Sequence, residues 1–205
     1  IVVINNDWWN VAEFVKCEVN VPIVAYMPVD GANLDTAVMT TLNQLEAAIW
    51  YTDFGWNEAR DAGFTGKRHI IPHGSDPALS TEVDKEAARK QLGLKLPEGA
   101  FLVGNVNRNQ PRKRLDLTLD YFSSWIQENQ IDDAWLCMHC SHSKEGWDLR
   151  NLARFHGIEN RIVFTDGKGR IGSVTKERLQ LIYQSLDLQV TTTSGEGWGL
   201  TTMEG

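Results

Sequence analysis

Leu186-Asp187-Leu188-Gln189-Val190-Thr191, followed by Ser194-Gly195-Glu196-Gly197-Trp198-Gly199-Leu200-Thr201-Thr202-Met203-Glu204, reads as a strand that passes through a glycine-rich turn into the start of a helix. The first six residues alternate apolar and polar, as a strand requires, and nothing between Gly199 and Gly205 breaks a helix. Glycine lets a backbone approach a ligand closely, and the N–H groups at a helix start favour an anion, so the turn is a candidate phosphate-binding element. The dinucleotide fingerprint G-x-G-x-x-G is not met, because Gly195, Gly197 and Gly199 alternate singly.

Upstream, the same unit recurs. Strands are expected at Ile1–Asn5, Pro22–Tyr26, Ala48–Thr52, His69–Ile71, Phe101–Val106, Ala134–His139, Arg161–Phe164 and Leu186–Thr191, with helices in the gaps. The clearest helix should run from about Arg112 to Glu128, with Leu115, Leu119, Phe122 and Ile126 along one face. Short apolar strands alternating with amphipathic helices define an α/β chain with parallel sheets and crossover helices. The segment Ile71-Pro72-His73-Gly74-Ser75-Asp76-Pro77 is the best boundary and predicts domains at 1–76 and 77–205.

The Gly-Glu-Gly-Trp-Gly turn after a strand, with Glu204 in the helix beyond it, resembles the donor-site signature of the family 4 retaining glycosyltransferases, which have the GT-B fold. Pro72-His73-Gly74-Ser75-Asp76 resembles the segment that ends the first Rossmann-like domain of these enzymes. The resemblance implies that residues 1–76 are the C-terminal part of an acceptor-side domain and 77–205 the N-terminal part of a donor domain, both incomplete. Family members are longer. A chain that opens in a strand without methionine and stops at Glu204-Gly205 within a helix is expected to be a fragment spanning the domain join.

Between the strand at Phe101–Val106 and its helix lies Asn107-Arg108-Asn109-Gln110-Pro111-Arg112-Lys113-Arg114. The positive end of a helix dipole repels cations, so three of them at a helix start conflict with a local rule unless an anion sits opposite. Arg112 and Arg114 serve equally well as site groups or as a solvated turn. Arg108 and Lys113 have the spacing of the Arg and Lys that, in the glycogen synthase branch of the superfamily, grip the donor diphosphate. Many members place that arginine directly after the strand glycine, whereas Asn105 follows Gly104 here.

What the resemblance implies is transfer of a sugar from a nucleotide-diphosphate-sugar to a saccharide, lipid or protein acceptor, with retention of anomeric configuration. The expected enzyme is a metal-independent hexosyltransferase-type catalyst that needs no cofactor. Glu196, Lys113 and Arg108 are its candidate catalytic residues, with Glu196 on donor-sugar hydroxyls and the two cations on the departing diphosphate. Gly197, Trp198, Gly199, Leu200 and Glu204 would bind the donor, Glu204 through the ribose hydroxyls. Thr165 and Asp166 would border the nucleobase. Pro28 stands where the family places a histidine, which leaves Asp30 as the acceptor-side candidate, although an Asp-Gly turn explains it as well. The rival readings are a non-hydrolysing sugar-nucleotide epimerase and a non-catalytic nucleotide-sugar binder.

A formal charge of −7 argues against nucleic acid as a partner and against adhesion to anionic membranes. No apolar run reaches the ~18 residues of a membrane span. Three cysteines do not make a disulfide framework, and a cytoplasmic setting is expected. Cys137-Met138-His139-Cys140-Ser141-His142 has metal-ligand residue types, but no second Cys/His pair follows, and no metal site is assigned. Trp8, Trp50, Trp125 and Trp135 are expected in the core, and Trp198 beneath the glycine turn.

Overall fold

Eight strands form two four-stranded, all-parallel sheets in the computed structural model of the chain, which describes residues 1–17, 20–76, 79, 84–140, 146–165 and 174–205. The chain divides into two compact units. Residues Ile1–Gly74 with Gly195–Gly199 make the first, and Ser75–Ser194 with Leu200–Gly205 the second.

The first unit runs β1 (Val2–Asn5), α1 (Trp8–Val15), β2 (Ile23–Met27), α2 (Thr36–Leu42), β3 (Ala47–Trp50), α3 (Asp53–Asp61) and β4 (Arg68–Ile70), and its strands lie in the order β1-β2-β3-β4. In β2, Ile23, Ala25 and Met27 are buried while Val24 and Tyr26 are half-buried. The buried face packs against α1, α2 and α3 through Val11, Ala12, Met39, Leu42 and Ala59, with Phe64 of the segment after α3 in the same cluster. β3 ends at Trp50 rather than at the expected Thr52, because the Thr52 hydroxyl caps α3 by accepting the Gly55 N–H at 3.0 Å. β1 is an edge strand, and its Val2 and Val3 are exposed.

The second unit runs α4 (Lys85–Leu92), β5 (Phe101–Val106), a 3-10 turn at Pro111–Lys113, α5 (Leu115–Glu128), β6 (Ala134–His139), α6 (Leu149–Phe155), β7 (Ile162–Phe164), α7 (Lys176–Gln184), β8 (Leu188–Gln189) and α8 (Leu200–Glu204). Here the order is β7-β6-β5-β8. Leu115, Leu119, Phe122 and Ile126 are all buried, with Leu136 and Met138 of β6 in the same cluster. Ile182 and Tyr183 of α7 join a separate cluster with Leu79 and Val106. Burial from both sides explains why β5 is almost continuously buried. Trp125 departs from expectation: it is 38% exposed, because those four residues fill the inward stripe of α5 and leave Trp125 beside it, tilted against Phe122.

Two contacts fix the short strand β8. The Arg89 guanidinium, buried on α4, donates to the carbonyls of Ser185 at 2.9 Å and Ala100 at 3.1 Å and to the Asp187 carboxylate at 2.5 Å. That carboxylate also accepts the Leu102 N–H at 2.6 Å and pairs with Lys85. Gly104 allows the second contact: a Cβ there would run into the Leu186 side chain. No helix among the described residues is long and apolar enough to cross a membrane.

Candidate functional site

In the second unit the chain steps from β5 to β6 to β7 in one direction and then returns to place β8 on the other side of β5. Open parallel sheets bind ligands in the crevice outside the carboxyl ends of the strands at such a reversal. The segments leaving β5 and β8 on that side are the basic stretch 107–114 and the stretch 190–194. Within the first unit the strand order shows no reversal among the described residues.

The basic stretch does not start α5 as expected. Pro111 opens a 3-10 turn closed by Lys113 N–H to Gln110 O at 2.9 Å and Arg114 N–H to Pro111 O at 3.1 Å, and Arg114 then adopts φ +47°. The left-handed conformation at Arg114 breaks the helical run, so α5 begins at Leu115. The charge conflict read from the sequence is eased locally, since the Arg114 guanidinium meets the carboxylate of Asp116 in the first turn at 2.9 Å. Lys113 is 7% exposed, and Arg108 is exposed and makes no ion pair among the described residues.

This turn is fastened to the segment after β8. The Ser194 N–H and hydroxyl both donate to Arg112 O, at 2.9 and 3.1 Å. The Thr192 hydroxyl donates to Arg114 O at 2.7 Å and reaches Lys113 O at 3.2 Å. Behind them Thr118 meets Thr192 at 2.7 Å, Asn105 Nδ2 donates to Thr118 at 2.8 Å, and Asn107 Nδ2 donates to Asn105 Oδ1 at 2.8 Å. Sequence reading missed these four residues. The available signal was Asn105, a polar residue inside an otherwise apolar strand.

Thr165, expected beside a nucleobase, is buried, and its hydroxyl is engaged at 2.8 Å with His139 Nδ1. Asp166, Ser141 and His142 lie outside the described residues. Burial pushes the neighbouring Cys137 thiol up to about 12, against the opposing pull of Arg89 and a Thr165 hydrogen bond, so this cysteine stays protonated. The Glu204 carboxylate is held by the Tyr183 hydroxyl, which donates to Oε2 at 3.1 Å. Burial and then the Glu204 charge push the tyrosine pKa upward, keeping it a donor. A cavity of about 190 Å³ lined by Arg150, Arg154, Glu159 and Phe164 lies on the β7 side of the sheet, the edge away from β8.

Gly195–Gly199 groups with the first unit. There Gly195 lies against the Asp30 carbonyl and Gly197 against Pro28, both so closely that a Cβ would collide. Gly199 has φ +77°, which only glycine adopts without strain. Glu196 is half-buried; so is Trp198, whose Nε1 is buried and meets no hydrogen-bond partner among the described residues. The structure therefore brings Asp30 and Pro28 to the glycine turn, and Lys113 to the segment following β8. At the carboxyl ends of β1, β2 and β3 it gathers a polar aromatic group not foreseen from sequence: Tyr51 donates to Asn5 Oδ1 at 2.8 Å, with Tyr26 and His73 rings 4.3 and 5.3 Å from its own.

No family model and no curated protein matches the chain. Among solved structures, it is similar to the HepE protein of Anabaena in complex with UDP and glucose, at 18% identity and TM-score 0.73 over 98% of this chain and 56% of that one. A UDP-forming alpha,alpha-trehalose-phosphate synthase from Burkholderia vietnamiensis matches at 13% identity and TM-score 0.68, covering 100% of this chain and 56% of that one. A trehalose-6-phosphate synthase studied for glycosyl transfer with retention matches at 13% and 0.72, covering 98% and 54%. The chain thus spans about half the length of the structures it matches. Two all-parallel α/β units, matched from end to end, give it the GT-B fold of the glycosyltransferases.

Proposed function

We propose that the protein transfers a sugar from a nucleotide-diphosphate-sugar donor to an acceptor, as part of a longer GT-B enzyme. The observation that carries this reading is the strand reversal between β5 and β8, with the basic turn after β5 fastened to the segment after β8. Arg108 and Lys113 neutralise charge that grows on the departing diphosphate, which is where electrostatic stabilisation lowers such a barrier most. Glu204, oriented by Tyr183, binds the ribose hydroxyls through its remaining carboxylate capacity. Glu196 binds hydroxyls of the donor sugar, and the glycines beside it allow backbone to approach the donor.

Cations in place of a metal make the reaction metal-independent, and retention follows from attack on the face the diphosphate leaves, with that phosphate taking the acceptor proton. The similar structure that holds UDP and glucose and the one studied for transfer with retention support the same reading for the donor class and the stereochemistry. The acceptor is a saccharide, lipid or protein that meets the first unit, where Asp30 is the nearest candidate.

The test is a calorimetric titration of the full-length protein with UDP, GDP and ADP, first without metal and then with Mg²⁺. One tight binder in the absence of metal identifies the donor class and upholds the cationic site. Binding that requires Mg²⁺ overturns metal independence, and no binding to any of the three overturns the donor site.

A further inference from the structure

The second unit links four polar side chains between β5, α5 and the segment after β8, three of them buried and Thr192 half-buried. Asn105 is 0% and Thr118 3% exposed, and Asn107 is also buried. Proton counting gives their hydrogen bonds a single direction. Thr192 has one hydroxyl proton, and the Arg114 carbonyl at 2.7 Å and the Lys113 carbonyl at 3.2 Å can only accept it. Toward Thr118, Thr192 therefore accepts. Thr118 thus gives its own proton to Thr192 at 2.7 Å and receives the Asn105 N–H at 2.8 Å, which leaves Asn105 Oδ1 to receive the Asn107 N–H at 2.8 Å. Each member has its partner and no alternative orientation satisfies them all, so the network is rigid where a partly satisfied one would not be. It ends on the backbone at Lys113 and Arg114, the latter at φ +47°, a conformation that non-glycine residues adopt only when their surroundings impose it.

We infer that the chain Asn107, Asn105, Thr118 and Thr192 is a positioning device for the diphosphate subsite, holding the Arg112–Arg114 turn in one conformation so that Lys113 meets the donor phosphates without reorganisation on binding. The inference rests on the donor-site reading above. Contact groups need such support, because a displacement of about 1 Å is enough to lose much of a charge-assisted contact. Thr192 is the decisive member, since its hydroxyl touches both the turn and the interior chain.

The experiment compares Thr192→Val, which keeps shape and removes the hydroxyl, with Thr192→Ser, which restores it. Both are made in the full-length protein and titrated with the nucleoside diphosphate that binds the parent and with its nucleoside. Thr192→Val should lose about tenfold in diphosphate affinity and nothing in nucleoside affinity, and Thr192→Ser should recover the loss. On a Lys113→Ala background Thr192→Val should have little further effect, because it acts through that residue. Unchanged diphosphate affinity, an equal loss for the nucleoside, or additive losses in the double variant each overturn the inference. If Thr192→Val does not fold, Thr118→Val cuts the same chain one link earlier and is read the same way. A parent protein that binds no nucleoside diphosphate overturns the donor-site reading and this inference with it, whereas a binding parent with an indifferent Thr192→Val overturns the inference alone.

Discussion

Lys113 and Arg114 are adjacent cations with opposite circumstances. Lys113 is buried beside a sheet reversal, while the Arg114 guanidinium is half-exposed and already paired with Asp116. On the donor-site reading Lys113 makes the diphosphate contact, whereas the charge of Arg114 is engaged by Asp116, so substitution should separate the two. Lys113→Ala should weaken nucleoside-diphosphate binding several-fold or more, measured by calorimetry, while Arg114→Lys changes it less than twofold. Equal losses would move the diphosphate contact to the turn as a whole. Glu196→Gln should lower the transfer rate more than it weakens binding of the free nucleoside diphosphate, because the side chain is assigned to the sugar. Parallel losses in steady-state rate and in titration would return Glu196 to a structural acid.

Among the elements, β8 depends most on contacts outside its own ladder, and the Arg89–Asp187 pair is the chief of them. Burial pulls the Asp187 pKa up, but the Leu102 N–H, Lys85 and Arg89 outweigh it and hold the carboxyl below its usual value. A depressed carboxyl stabilises the fold above the unfolded value and loses that contribution as pH falls through the folded one. Unfolding followed by urea titration should therefore show stability falling as the pH drops below about 4, with a shallower fall in Asp187→Asn. Arg89→Leu leaves the Asp187 carboxylate to Lys85 and the Leu102 N–H and removes the donor to the Ser185 and Ala100 carbonyls, and should cost about 1–3 kcal/mol at neutral pH. β5 and β6 were legible to the residue in the sequence, because each is an apolar run closed by polar residues and covered by packing. β8 was not. Of Leu186–Thr191 only Leu188 and Gln189 are strand, with the Asp187 and Val190 N–H groups bonding Leu102 O and Gly104 O at its ends, and the contacts that seat it, Asp187 on Arg89 and Leu186 over Gly104, leave no trace in periodicity. The stripe of α5 was equally plain, but its start was hidden, because periodicity carries no sign of the 3-10 turn at Pro111 or of the backbone at Arg114. Resemblance supplied Arg108 and Lys113. It could not supply Asn105, Thr118 and Thr192, whose polarity reads as solvent exposure until the chain is folded.

At the scale of the whole molecule, each unit has its own apolar core, one built on Met27, Trp50 and Phe64 and the other on Leu119, Leu136 and Leu149. Separate cores allow separate melting, so scanning calorimetry should resolve two transitions. A nucleoside diphosphate at about 100 times its Kd should add about 2.7 kcal/mol to the unit carrying Lys113 and move mainly that transition. A single transition that shifts as a whole would mean that the units unfold as one. The edge strand β1 bears on something else, the handling of the chain in solution. Among the described residues β1 has a neighbouring strand on one side, and its Val2 and Val3 are 42% and 69% exposed, so its other side can pair with a further strand. Prepared as residues 1–205 alone, the chain should self-associate through this edge, and Val3→Lys should raise the concentration at which light scattering begins, for the same reason that natural edge strands carry lysine as a gatekeeper against intermolecular β-pairing.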